Sequence, residues 1–349
     1  MRKLTNVQHL RAVAALIVLI THQYAATVFV AARSHRSFDS IPLYGTFGVD
    51  IFFVISGFIM FYTASNEFGG GVAATDKFIR RRLIRVVPIY WLLTMAMAAL
   101  RFFQNKADSA PALVQSLLFI PFVAGNGKFR PVLGVGWSLN YEMLFYAIFA
   151  VGLLLPRRSG VFMIFMTLMA LITAGSLFAL PPPFSAWTKP IIGEFLLGVI
   201  LGIAYVDRPD WFNKIRIPPL PVIVAIVCTL FYFYQPDGIK EGSLLLRPLL
   251  WVTAMLVVLI ALLCENGTDP GLISRTMTRI GDSSYSLYLT HPVAGAVLTW
   301  LLLKLKLAYA LPLWPFFFYS LNIVDGCNRM GLSHSNRSAT HSPFHTSIR

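Results

Sequence analysis

The sequence predicts an all-α fold, a polytopic transmembrane helix bundle of about ten spans with its N-terminus in the cytoplasm. Three observations carry this. Of 349 residues, 56% are hydrophobic and only 13% are charged, against about 25% charged in an ordinary soluble domain. Mean hydropathy is +0.68. The Lys and Arg residues fall in short breaks between apolar runs, as in membrane loops. This composition excludes a disordered chain, which needs low hydrophobicity. It also excludes an ordinary soluble enzyme, which has more charge to cover its apolar surface. The net charge of +14 raises nucleic acid as a partner, but such binders cluster Lys and Arg on soluble faces. Membrane lipid is therefore the expected partner, and nucleic acid is not.

A spanning helix needs about 20 mostly apolar residues. Spans are expected at 10–30, 45–65, 86–103, 137–155, 160–180, 188–206, 218–235, 244–264 and 283–303. The apolar piece 112–124, interrupted by Pro121, is too short to span, and 308–321 is broken by Pro312 and Pro315. Arg2 and Lys3 before an apolar run resemble a signal peptide. No A-x-A cleavage site follows, and Arg11 and His22 lie inside the run. The segment reads as a retained helix.

Orientation follows the Lys/Arg bias of the breaks. The heaviest break holds Lys77, Arg80, Arg81, Arg82 and Arg85 and is assigned to the cytoplasm. Gly69–Gly71 reads as a flexible loop. No Walker A loop, GxSxG elbow or HExxH motif occurs. Cys228, Cys264 and Cys327 form no CxxC or zinc spacing, so neither a metal nor a disulfide framework is expected.

Ionisable groups within spans are expensive and mark function by default. Arg11 and His22 are 11 residues apart, close to three turns, and share a helix face about 16 Å apart along the axis. A cation near the cytoplasm attracts an anionic cofactor, and a midplane imidazole can take a hydroxyl proton. Asp50 follows Gly48 in the second span and can orient a histidine. Arg81, Arg82 and Arg85 neighbour one another at helical spacing, and their guanidinium forks match phosphate oxygens. Ser138, Glu142 and Tyr146 recur every four residues, a polar stripe that faces a cavity or a partner helix. Glu142 has Arg11, His22 or an acceptor hydroxyl as candidate partners. Ser284, Tyr288 and His291 form a second stripe. For each set the plainer reading stays open: snorkelling arginines, headgroup contacts, and hydroxyls that join membrane helices without chemistry.

Taken together, five motifs resemble the acyltransferase-3 family of integral-membrane acyltransferases, over roughly residues 5–305. They are Arg11-x10-His22, Phe52-Phe53-x-x-Ser56-Gly57-Phe58, the Arg81/Arg82/Arg85 cluster, Trp137-Ser138-x-x-x-Glu142, and Ser284-Tyr285-Ser286-Leu287-Tyr288. The resemblance is nearest to bacterial members that modify exopolysaccharide. It implies a multi-pass protein of the bacterial inner membrane. It also implies transfer of an acyl group, usually acetyl from cytoplasmic acetyl-CoA, to a sugar hydroxyl of a polysaccharide or its lipid-linked precursor. By motif position His22 is the catalytic histidine and Arg11 its partner; the residues themselves add Asp50 or Glu142 as groups that tune His22. Arg81, Arg82 and Arg85 dock the cofactor phosphates, and Ser138, Tyr146, Tyr288 and His291 line the substrate path. A transporter or flippase of a lipid-linked saccharide is the alternative for such midplane polar residues, though no inverted repeat is visible.

The expected domains are an integral-membrane acyltransferase unit, 1–321, and an atypical tail, 322–349. From Asn322 the chain turns polar and rich in Ser, Asn and His, where the family continues with an apolar helix and a basic tail. This reads as a truncated or shifted end, or an unusual tail. His334, His341 and His345 have no metal-ligand spacing.

Overall fold

The structure, a computed structural model, describes residues 4–36, 38, 45–124, 127, 129–213, 246–265 and 271–307. The expected span 218–235, the segment 308–321 and the tail 322–349 lie outside them, as do Cys228 and Cys327. Among the described residues the fold is all-α, with one isolated β-bridge, Val123–Phe129. The helices are α1 (Thr5–Arg33), α2 (Thr46–Ala64), α3 (Gly71–Phe103), α4 (Ala110–Leu117), α5 (Trp137–Leu153), α6 (Arg157–Leu177), α7 (Phe184–Trp187), α8 (Gly193–Asp207), α9 (Pro209–Asn213), α10 (Leu246–Leu263) and α11 (Leu272–Lys304). Six described helical stretches are long and apolar enough to cross a membrane: α1, α2, α3, α6, Pro190–Asp207 and α11. α5 has 17 residues, and α10 offers the shorter apolar run Pro248–Leu263. α4, with 8 residues, is too short to span, and Phe119 just beyond it takes a positive φ of 57°.

One expectation changes. The arginine cluster, read as a break before a span, belongs to the span's own helix. α3 runs unbroken through Arg80, Arg81, Arg82 and Arg85 and carries Pro88 inside it. No helix breaker stands between Gly71 and Pro88, and helix-forming residues continue the pattern. α11 likewise begins eleven residues before the expected 283 and carries Pro292 internally. Both helices therefore deliver side chains from beyond the apolar run into the bundle.

α1 and α11 lie side by side and parallel. Successive levels pair in order: Gly281 lies against the Gln8 carbonyl, Arg11 donates to Ser284 Oγ at 2.9 Å, and the His22 and His291 rings meet. Near their starts, Ser274 and Thr278 hydroxyls lie 3.0 and 3.2 Å from His9 Nε2. α3 runs the same way: the Tyr285 hydroxyl of α11 donates to the Val86 carbonyl at 2.7 Å, and further along Met97 and Leu100 line one cavity with Pro292 and Ala296. α5 runs opposite to α3. Thr75 donates to the Ala150 carbonyl at 3.3 Å, while Gly136 lies against the Tyr90 ring at the other end.

α2 and α8 cross through two glycines. A Cβ on Gly57 would stand 2.1 Å from the Phe195 carbonyl oxygen, and one on Gly198 would stand 2.1 Å from that of Val54. Only glycine permits that approach, the usual means of packing membrane helices. Beside the crossing, Phe195 stacks between Phe53 and Phe145 with ring centroids 4.6 and 4.5 Å apart. This aromatic cluster joins α2, α5 and α8 in the core. The first turn of α1 is held by Glu265, just past α10, which accepts from the Thr5 and Asn6 amides at 2.7 and 2.9 Å. A carboxylate there satisfies otherwise unpaired amides and suits the positive end of the helix.

Candidate functional site

Two cavities lie along α1, α3 and α11, the first walled also by α2 and α5. The first occupies the half where α1, α3 and α11 begin. It comprises about 760 Å³ of empty space, mouth included, and has Arg11, Arg82, Arg85, Glu142, Tyr146 and Ser284 among its lining residues. The second is lined by later residues of the same helices, His22 of α1, Met97, Leu100, Arg101 and Gln104 at or just past the end of α3, and Pro292 and Ala296 of α11. Arg130, Val132, Gly134 and Val135, before α5, complete it.

In the first cavity the half-buried Arg11 guanidinium is held by Gln8 Oε1 at 3.1 Å and Ser284 Oγ at 2.9 Å. Arg82 donates to Thr63 Oγ1 at 3.2 Å and lies over the Phe78 ring at 5.6 Å. Its Nε is buried without a hydrogen-bond partner. Arg85 lines the cavity from an exposed position one turn on. The Glu142 carboxylate accepts from the Tyr146 hydroxyl and, at 3.4 Å, from Ser56 Oγ. Its hydrogen bonds thus go to hydroxyls on α5 and α2, whereas the guanidinium of Arg11 turns to α11.

A polar septum separates the cavities. The Tyr288 hydroxyl lies 2.9 Å from Ser138 Oγ, and both lie 3.1 Å from the Val135 carbonyl. Ser138 and Tyr288 line the first cavity, and Val135 lines the second. Phe52 packs edge-on against the Tyr288 ring at 6.0 Å.

His22 opens into the second cavity. Its Nδ1 sits 2.9 Å from the Val18 carbonyl. A carbonyl can only accept, so Nδ1 carries a proton, and in the neutral imidazole Nε2 holds the free lone pair. His291, 1% exposed, sits beside it with ring centroids 5.0 Å apart. Its Nδ1 lies 3.2 Å from the Leu287 carbonyl, and its Nε2 is buried with no hydrogen-bond partner.

Seven of the sequence-nominated residues meet at the first cavity: Arg11, Arg82, Arg85, Ser138, Glu142, Tyr146 and Tyr288. His22 stands alone of that set on the second. Three line neither cavity. Asp50 is buried in α2 at 1% exposure, Arg81 is exposed on the outside of α3, and His291 backs His22 from inside the bundle. Helix phase accounts for Arg81. It lies about 100° around the axis from Arg82, which is enough to turn it out of the cavity. Thr63, Gln104 and Arg130 entered through tertiary packing alone. Each is a single polar residue at a helix or loop position with no local motif. No group of three or more His, Cys, Asp or Glu able to hold a metal occurs among the described residues.

A family model described as an acyltransferase domain matches residues 4–324. The chain belongs to the acyltransferase-3 family. Exopolysaccharide production protein ExoZ of Rhizobium meliloti (strain 1021) is 36% identical over 266 residues, 72% of this chain and 77% of that protein. Acyltransferase MdmB of Streptomyces mycarofaciens is 25% identical over 83% of this chain and 78% of its own length. Protein 2 in the picA locus of Rhizobium radiobacter is 28% identical over 36% of this chain and 75% of its own length. No solved structure matches. The family and the apolar helices together make the chain a multi-pass membrane acyltransferase.

Proposed function

We propose that this acyltransferase-3 protein moves an acyl group, acetyl in the first instance, from cytoplasmic acyl-CoA to a sugar hydroxyl. The acceptor is an exopolysaccharide or its lipid-linked precursor, and the membrane is the bacterial inner membrane. The observation that carries this reading is the pair of cavities meeting at Tyr288 and Ser138, with guanidiniums in one and the His22 imidazole in the other.

The first cavity suits a phosphate-bearing donor. Arg11, Arg82 and Arg85 line it, and the buried Nε of Arg82 lacks a partner. A guanidinium left short of acceptors in a membrane interior favours an anion. The Lys/Arg bias puts this end in the cytoplasm, where acyl-CoA is made. Acyl-CoA, when bound, supplies an acyl carbonyl activated as a thioester. Arg82, Arg85 and Arg11 hold its phosphates, and Thr63 and Ser284 fix two of those guanidiniums in place.

In the second cavity His22 acts as general base. The Val18 carbonyl fixes the tautomer, so Nε2 receives the proton of the acceptor hydroxyl as its oxygen bonds to the thioester carbonyl carbon; the C–S bond breaks and the departing CoA thiolate takes the proton back. A positioned base of this kind is worth roughly 100- to 10,000-fold in rate. ExoZ is named for exopolysaccharide production, which supports a sugar acceptor here.

The test is CoA release and acceptor acylation by membranes carrying wild type or His22→Ala, supplied with acetyl-CoA and a polysaccharide-lipid extract. Release coupled to acylation in wild type, and lost in a variant present at equal level, is expected. Full activity in His22→Ala overturns the site. Acceptor translocation without acyl-CoA consumption overturns the reaction.

A further inference from the structure

We propose that the His22 cavity is an anion-recognising acceptor site. The sugar acylated there carries a negative charge, and Arg130 pairs with it. This rests on the acyltransferase reading for its reaction but not for the binding it describes. Three cationic or amide side chains line the cavity with His22: Arg101, Gln104 and Arg130. The rest of the lining is backbone and apolar side chain, including Met97, Leu100 and Pro292. Among the described residues no carboxylate lines it.

The two arginines are not equivalent. Arg101 is tied to Asp108 Oδ1 at 2.6 Å, so its charge is largely matched. Arg130 has no acidic partner among the described residues. Its guanidinium lies over Gly134. A Cβ at Gly134 would stand 3.0 Å from Arg130 Nε and 3.3 Å from a terminal nitrogen, so alanine would make the guanidinium give by a few tenths of an ångström and a bulky side chain would displace it further. A planar cation with five donors is held at the cavity wall while its fork remains available. Arg130 is exposed, so water hydrates its charge until a ligand arrives, and a neutral sugar brings no countercharge in place of that water. A phosphate or carboxylate satisfies it with paired, charge-assisted hydrogen bonds. The geometry therefore selects an acidic acceptor, a uronate or a glycosyl phosphate, with the reactive hydroxyl turned to His22.

The experiment measures binding to the purified full-length protein in detergent, then acylation by the same preparation. Three oligosaccharides of equal length serve as probes: a neutral hexose chain, the same chain ending in a uronate, and the same chain ending in a phosphate. At least one acidic probe should bind tenfold or more tighter than the neutral one, and the tighter of the two names the source of the charge. Arg130→Gln should abolish that preference, weakening the favoured acidic probe at least tenfold more than the neutral one. Arg130→Lys should restore part of it, and Gly134→Leu should weaken it as Arg130→Gln does. Equal binding of all three probes, or equal loss for all three in Arg130→Gln, overturns the proposal. Acidic preference without any acylation keeps the anion site and overturns the acyltransfer reading. Acylation indifferent to charge does the reverse.

Discussion

The rings of His22 and His291 stand 5.0 Å apart, and each places its Nδ1 against the carbonyl one helical turn earlier. The two histidines therefore share a tautomer, with Nε2 free on both. They do not share a surface. His22 opens into a cavity, whereas His291 is buried at 1% exposure. On the proposed reading the open one meets substrate, and the buried one sets the environment behind it. His22→Ala is expected to lower acyl transfer roughly 100- to 10,000-fold. His291→Gln should cost less in kcat and leave both KM values near wild type. Equal losses in kcat from the two substitutions, at matched protein level, would reverse these roles.

Arg82 and Arg85 predict a donor-side effect. Each hydrogen bond to a charged group is worth about 1.5–3 kcal/mol, so Arg85→Ala should raise the acyl-CoA KM roughly tenfold or more. Arg82→Lys should not rescue binding, because an ammonium cannot both reach Thr63 and present a planar fork. Arg81→Ala, on the outside of α3, should change the donor KM little. Steady-state kinetics with acyl-CoA as the varied substrate decides it.

Tyr288 predicts a change in acyl preference. Its hydroxyl, Ser138 and the Val135 carbonyl close the wall between the cavities. Removing the ring in Tyr288→Ala opens that wall. Relative use of propionyl- or butyryl-CoA over acetyl-CoA should rise by roughly tenfold, the scale on which a pocket discriminates one methylene. An unchanged ratio in competition assays would remove Tyr288 from acyl selection.

Gly57 predicts a folding defect. A side chain there meets the Phe195 carbonyl at 2.1 Å from its Cβ alone. Gly57→Leu must push α2 from α8, and overpacking of this kind costs about 1–3 kcal/mol or more. Thermal unfolding in detergent should shift downward, with less protein recovered, while Gly271→Ala, just before α11 with open space around it and an ordinary negative φ, should be far milder.

The class and the family are legible in the order of residues alone. Hydropathy, sparse charge and five ordered motifs suffice for a membrane acyltransferase bundle, because a spanning helix must be apolar over its whole length and polar exceptions stand out. Helical spacing also placed Ser138, Glu142 and Tyr146 on one face, as the structure has them. Tertiary structure decided how those faces meet. The shared direction of α1, α3 and α11 put Arg11, Arg82 and Arg85 in one cavity and His22 in another, with a septum between. It turned Arg81 outward by one residue of helix phase, and it set Asp50 and His291 inside the packing. It brought Gln104 and Arg130 to a cavity wall, and Thr63 to the Arg82 guanidinium, with no local motif to announce them. Periodicity reports which side of a helix is polar. Which neighbour that side faces depends on contacts between residues far apart in the chain, and those form only when the helices cross.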